Sequence, residues 1–153
     1  MTFLLISVLL FNTIAWILPK KLTRLEMYTT SLFAFALTIV TDVYLDLKHG
    51  FYGYFKVGAD YEALIVFIGL YPSFSIIFLN LFPYDQGMAK KTIYLVCTWL
   101  FCLLYEKATL TPIGFFYYNG WKLWYSAILY PILLGVLCLH LFLLRKWVST
   151  AQK

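Results

Sequence analysis

Charge is what this chain most lacks. Only 12% of its 153 residues are Asp, Glu, Lys or Arg, about half the share a water-facing domain carries. With 63% hydrophobic residues, there is too little polar material to cover a soluble surface. That excludes an ordinary globular domain and points to lipid as the solvent. Cysteine is scarce too. Cys97, Cys102 and Cys138 lie in apolar stretches and form no C-x-x-C pair. Metal and redox motifs of that kind are therefore absent, and the three read as small buried hydrophobes. Catalytic signatures are missing as well: no H-E-x-x-H, no G-x-S-x-G, no phosphate-binding loop and no D-x-x-D pair. Ser73, Ser75 and Ser126 have no histidine near them in sequence. Nothing in the sequence implies a cofactor or a metal.

What is present is a series of apolar stretches. A bilayer core of roughly 30 Å takes about 20 helical residues at 1.5 Å each. Five stretches fit: 2–18, 26–45, 63–82, 92–107 (with Glu106 and Lys107 in the last turn) and 125–144. The expected fold is all-α, a polytopic membrane bundle of five transmembrane helices forming one transmembrane domain over 1–153. The first stretch has no basic residue before it and no A-x-A-like site after it. Pro19, Lys20, Lys21 and Arg24 follow instead, as for a retained anchor. Pro72 and Pro131 fall inside the third and fifth stretches, where a missing N–H bends a helix or frees a carbonyl. The connection after the second stretch sets Gly50, Gly53 and Gly58 among Phe51, Tyr52, Tyr54 and Phe55. It reads as a turn-rich segment in the interface.

Basic residues set the orientation. The net charge of +5 collects at span ends, so no nucleic-acid partner is expected. One side carries eight: Lys20, Lys21, Arg24, Lys90, Lys91, Arg145, Lys146 and Lys153. The other carries four: Lys48, Lys56, Lys107 and Lys122. The positive-inside rule puts the first group in the cytoplasm, with the N-terminus outside and the C-terminus inside a cell membrane crossed several times. Asp42, Asp46, Asp60, Glu62 and Glu106 then face outward, against Glu26 and Asp85 inside.

The outer acids carry the most chemical information. Thr38, Asp42 and Asp46 are four residues apart, so they share one helical face. Glu106 ends the fourth span at the same level. Both helices would run outward, so these acids sit near helix C-termini, where the macrodipole disfavours a carboxylate by several tenths of a kcal/mol. Three compensations are open: pairing with Lys48, Lys56, Lys107 or Lys122, a bound cation, or a carboxyl kept protonated. His49 adjoins the cluster and completes the proton-or-cation candidates Asp42, Asp46, Glu106 and His49. Trp121, Lys122, Trp124 and Tyr125 are the outer-face interaction candidates. Their composition is that of an interfacial aromatic belt, or else of a platform for a headgroup, a glycan or a partner protein.

Five segments, taken in order, carry a resemblance: Thr41-Asp-Val-Tyr-Leu-Asp-Leu-Lys48, Phe51-Tyr-Gly-Tyr-Phe55, Phe78-Leu-Asn-Leu-Phe-Pro83, Tyr105-Glu106 and Tyr117-Tyr-Asn-Gly-Trp-Lys-Leu-Trp-Tyr-Ser126. Together they resemble an uncharacterised family of small aromatic-rich integral membrane proteins of spore-forming Gram-positive bacteria, the CBO-type hypothetical proteins. The resemblance spans residues 40–140. It implies a bacterial cytoplasmic membrane protein and transfers no activity. It also marks Asp42, Asp46, Asn80, Glu106, Trp121 and Trp124.

The first expectation for function is a non-enzymatic accessory or assembly subunit of the bacterial envelope, linked to sporulation or germination. Its partners would be the lipid bilayer and either a membrane protein or a second copy of the chain. The alternative is a small oligomeric transporter or channel that uses the outer carboxylates for protons or cations. A weaker alternative is an enzyme acting on a lipid headgroup at the outer face, which needs the acids and His49 to converge near Trp121.

Overall fold

A computed structural model describes every residue except Val57, Ala59, Asp60, Ile113, Gln152 and Lys153. Of the charges counted above, Asp60 and Lys153 lie outside the described residues. Helix dominates. α1 is Thr2–Ile17. α2 is Arg24–Asp42, and it runs on through a π-helical stretch, Val43–Lys48. α3 covers Ala63–Leu81, with α register at Ala63–Ile65, π register at Val66–Leu70 and α register again at Tyr71–Leu81. α4 is Met88–Thr109 and α5 is Leu123–Ala151. Two short strands, β1 (Tyr52–Gly53) and β2 (Tyr117–Tyr118), pair antiparallel with Tyr52 opposite Tyr118.

α2 with its extension, α3, α4 and α5 are each long and apolar enough to cross a membrane. α1, with 16 residues, is a shorter apolar helix. Leu9, Ile68, Leu104 and Phe142 are all exposed, a surface that suits hydrocarbon and not water. Helix ends overrun the apolar stretches: α2 continues to Lys48, α4 begins at Met88 and α5 reaches Ala151. Hydropathy marks the thickness of the hydrocarbon, whereas a helix continues until its backbone is capped.

Local chemistry accounts for several of those caps. Thr23 and Glu26 form a reciprocal capping box at the start of α2, satisfying two otherwise orphaned N–H groups. Gly50, at φ 61°, ends the α2 extension, a left-handed conformation that glycine adopts without penalty. Its N–H donates to Asp46 O at 2.6 Å, and that of Phe51 to Leu45 O at 3.0 Å.

The two interior prolines are both accommodated. Pro131 removes the N–H that would bond Ala127 O, and Trp99 Nε1 donates to that carbonyl instead, at 3.0 Å. Pro72 stands in the first turn of the Tyr71–Leu81 stretch, directly after the π register, where a proline is tolerated. Nearby, the Gly69 carbonyl accepts from Asn12 Nδ2 and Ser73 Oγ, each at 2.8 Å. α1 crosses α3 at this point. A Cβ on Gly69 would lie 2.9 Å from Val8 Cγ1, so glycine permits the close approach.

Packing and polar contacts sort the helices into two ends. α2 lies along the Tyr71–Leu81 part of α3, and α5 packs on α2 and α4. At one end, Arg145 Nε meets Glu26 Oε1 at 2.6 Å, joining the end of α5 to the start of α2. The Arg145 guanidinium also sits 4.5 Å over the Tyr84 ring. Beside them the fully buried Asn80 clamps the α1–α2 turn. Its Nδ2 donates to Pro19 O, and its Oδ1 accepts from Lys21 N, both at 2.7 Å. At the other end lie the ends of α2 and α4, the starts of α1, α3 and α5, and the β1–β2 ribbon. The first is called here the basic end and the second the carboxylate end.

Candidate functional site

The ribbon at the carboxylate end is built to deliver phenols. Side chains two apart along an extended segment leave the same face, and Tyr52 and Tyr54 are two apart. Tyr52 Oη donates to Asp42 Oδ1 at 2.5 Å and Tyr54 Oη to Asp42 Oδ2 at 3.0 Å. Tyr54 Oη also lies 3.3 Å from Tyr71 Oη. The ribbon is held to the start of α5 by Asn119 N and Trp121 N, which donate to Phe51 O at 2.8 and 3.0 Å. Gly53 leaves room for the Tyr117 ring end, which a Cβ there would displace.

Glu106, in the last turn of α4, has a parallel arrangement. Its Oε1 accepts from the Tyr118 hydroxyl and from Ser126 Oγ, the latter at 2.7 Å, and its Oε2 accepts from Tyr130. Ser126 accepts in turn from Trp121 Nε1 at 2.8 Å. Asp42 is 6% exposed and Glu106 5%. Among the described residues no lysine pairs with either carboxylate.

The macrodipole is handled differently at the two sites. The π extension moves the end of α2 on to Lys48, so Asp42 lies outside the last turn, where that effect is felt. Glu106 does lie in the last turn of α4, but it bonds Ser126 in the first turn of α5, where the backbone N–H groups make the potential positive.

The phenols themselves stay protonated. Burial pushes Tyr52 well above its ordinary 10.0, with the neighbouring Asp42 charge adding to the shift. Burial does the same for Tyr54, helped by Tyr71 and Asp42. At Tyr118, burial and the bond to Glu106 both raise the value. These groups act as neutral donors throughout the physiological range.

Asp42 and Glu106 line one cavity of about 180 Å³. Thr41, Tyr71 and Thr109 line it near the carboxylate end, and farther along the helices its deeper wall is mostly apolar, with Leu37, Phe74, Leu133 and Leu137 beside Thr38 and Ser75. Asp46 is not part of that wall. With π register from Val43, a spacing of four no longer stacks Asp46 over Asp42. Asp46 lines a neighbouring recess with Tyr61 and Phe67, and Asp42 borders both spaces. His49 is exposed and stacks on Phe51 at 5.3 Å, away from the cavity. Trp121 belongs to the Glu106 site, and its ring meets Tyr52 edge-on at 5.4 Å. Lys122 and Trp124 are exposed, and Trp124 packs on Tyr125 at 3.9 Å. Among the described residues no three His, Cys, Asp or Glu side chains gather into a metal-binding group.

The sequence reading missed the donors Tyr52, Tyr54, Tyr118, Ser126 and Tyr130. Two signals were there to find. Tyr52 and Tyr54 have strand spacing, and Ser126 and Tyr130 have the i, i+4 spacing of one helical face. The site can hold negative charge on neutral donors, and can take up a proton or a cation. No family model, curated protein or solved structure matches the chain.

Proposed function

We propose that this chain is a multi-pass membrane protein that holds a proton or a cation at Asp42 and Glu106, acting by binding and passage and not by catalysis. One observation carries the reading: both carboxylates are buried in a shared cavity and are bonded only by neutral hydroxyls among the described residues. Neutral donors stabilise a charge without cancelling it, and a buried carboxylate without a counter-charge costs several kcal/mol. Five helices are few for a pathway through one chain, so passage would run in an assembly of several copies.

The proposed arrangement has five spans, with the N-terminus outside and the C-terminus cytoplasmic. Lys20, Lys21, Arg24, Lys90, Lys91, Arg145 and Lys146 at the basic end support that orientation against Lys48, Lys56, Lys107 and Lys122. α1 extends about 24 Å. Its buried Leu4 and Phe11 pack with residues of α3, which supports counting it as a span in a locally thinned bilayer.

The test compares purified Asp42→Asn and Glu106→Gln with the wild type. Unfolding temperature is followed over about pH 5 to 8, with and without added cations. The expected result is a wild-type gain from one ion or from protons that both variants lose. A wild type indifferent to both, with clearly destabilised variants, would make the carboxylates structural and overturn the reading.

A second reading is a non-enzymatic accessory or assembly subunit of the bacterial envelope, linked to sporulation or germination. Trp124, at 54% exposed and packed on Tyr125, favours it, because such an aromatic pair suits an anchor for a partner. A partner retained by both carboxylate variants and lost on Trp124→Ala would support it.

A further inference from the structure

We infer that the cavity takes an organic ammonium ion with a short apolar tail, its charged head between Asp42 and Glu106. The inference rests on the cation-holding reading above and names the chemistry of the occupant. Acceptor capacity is the first argument. A carboxylate offers about four lone-pair positions. Two hydroxyls occupy Asp42 and three occupy Glu106, so both retain room for a further donor.

The walls are the second argument. Tyr52, Tyr54, Phe115, Phe116 and Trp121 line the same cavity, and aromatic faces attract an alkylammonium more readily than they replace the water around a small inorganic ion. The deep wall is the third. Leu37, Phe74, Leu133 and Leu137 offer nothing to a hydrated ion, but they reward burial of an alkyl or aryl chain by about 0.8 kcal/mol per methylene. A head that needs carboxylates, joined to a tail that needs leucines, is an amphipathic amine.

The experiment titrates n-hexylammonium into the purified full chain in neutral detergent, with n-hexanol as the uncharged isostere, and reads heat and unfolding temperature. Expected is saturable binding of hexylammonium and at least tenfold weaker binding of hexanol. Asp42→Asn and Glu106→Gln should each weaken hexylammonium at least tenfold, while Glu26→Gln at the basic end should leave it unchanged. Leu133→Trp, which fills the cavity with both carboxylates intact, should abolish it and keeps the test open if a carboxylate variant fails to fold. Equal binding of hexanol would overturn the inference, because the acids would then play no part. A response to sodium, potassium or protons with none to hexylammonium would overturn it while leaving the cation-holding reading in place. No response to any of these would overturn both.

Discussion

Glu26 at the basic end and Glu106 at the carboxylate end are both buried glutamates, 9% and 5% exposed, yet different chemistry holds them. Glu26 meets a full positive charge, Arg145, whose side chain is still 37% exposed and spreads over Tyr84. Charge cancels charge there, and water relieves what is left. Glu106 meets three hydroxyls and no cation among the described residues. The first arrangement is a fastening between α2 and α5. The second places a carboxyl group inside the bundle on neutral donors, and its charged form costs stability unless something else answers it. A glutamate therefore has to be judged by whether its partners cancel its charge or only orient it.

The sharpest way to break this comparison is to remove each side's key group. Glu106→Ala leaves the hydroxyls of Tyr118, Ser126 and Tyr130 without their acceptor, and should cost about 3 kcal/mol or more. Glu106→Gln keeps an acceptor oxygen, and Tyr130 can turn to accept from the new amide. Its stability should stay within about 1 kcal/mol of wild type, because no cation among the described residues pairs with Glu106. Denaturant unfolding in detergent separates the two variants, and equal losses would mean that the charge itself is structural.

Arg145→Ala, at the other end, should cost about 1–2 kcal/mol. Glu26 loses a real counter-charge, but the exposure of the pair screens it. A loss larger than that of Glu106→Ala would reverse the assignment of the two ends.

The smallest effect is in alkaline solution. The folded pKa of Tyr52 and Tyr54 lies above the ordinary 10.0, so the folded state keeps those protons when the unfolded chain has lost them. Their contribution is complete below about pH 10 and declines as pH rises beyond it. Unfolding temperatures on either side of that value should show the decline, and Tyr52→Phe should flatten it.

The sequence made much of this legible, and the reasons for the rest are physical. Hydropathy located the apolar helices, and basic residues separated the two ends. The one-level placement of Asp42 and Glu106 followed from helix direction alone. Their partners did not, because Tyr118 and Tyr130 stand 12 and 24 residues from Glu106 and no local periodicity reports such a distance. Tyrosine in a loop of a membrane chain also has two uses, as interfacial belt and as buried donor, and composition cannot distinguish them. α-Helical spacing groups Asp46 with Asp42, and the π stretch from Val43 interrupts that spacing. Asn80 is marked in the sequence only by the resemblance, and its role as a clamp depends on a turn some 60 residues earlier that only the folded bundle brings near.

That clamp bears on the order of assembly. Synthesis proceeds from the N-terminus, so the α1–α2 hairpin emerges well before residue 80 exists. Until then Pro19 O and Lys21 N lack the side chain that later satisfies them, and water must fill the place. The first two helices can form before α3 does, but their turn becomes fixed only when the far end of α3 arrives. The asparagine thus works as a latch, set by the third helix on the first two.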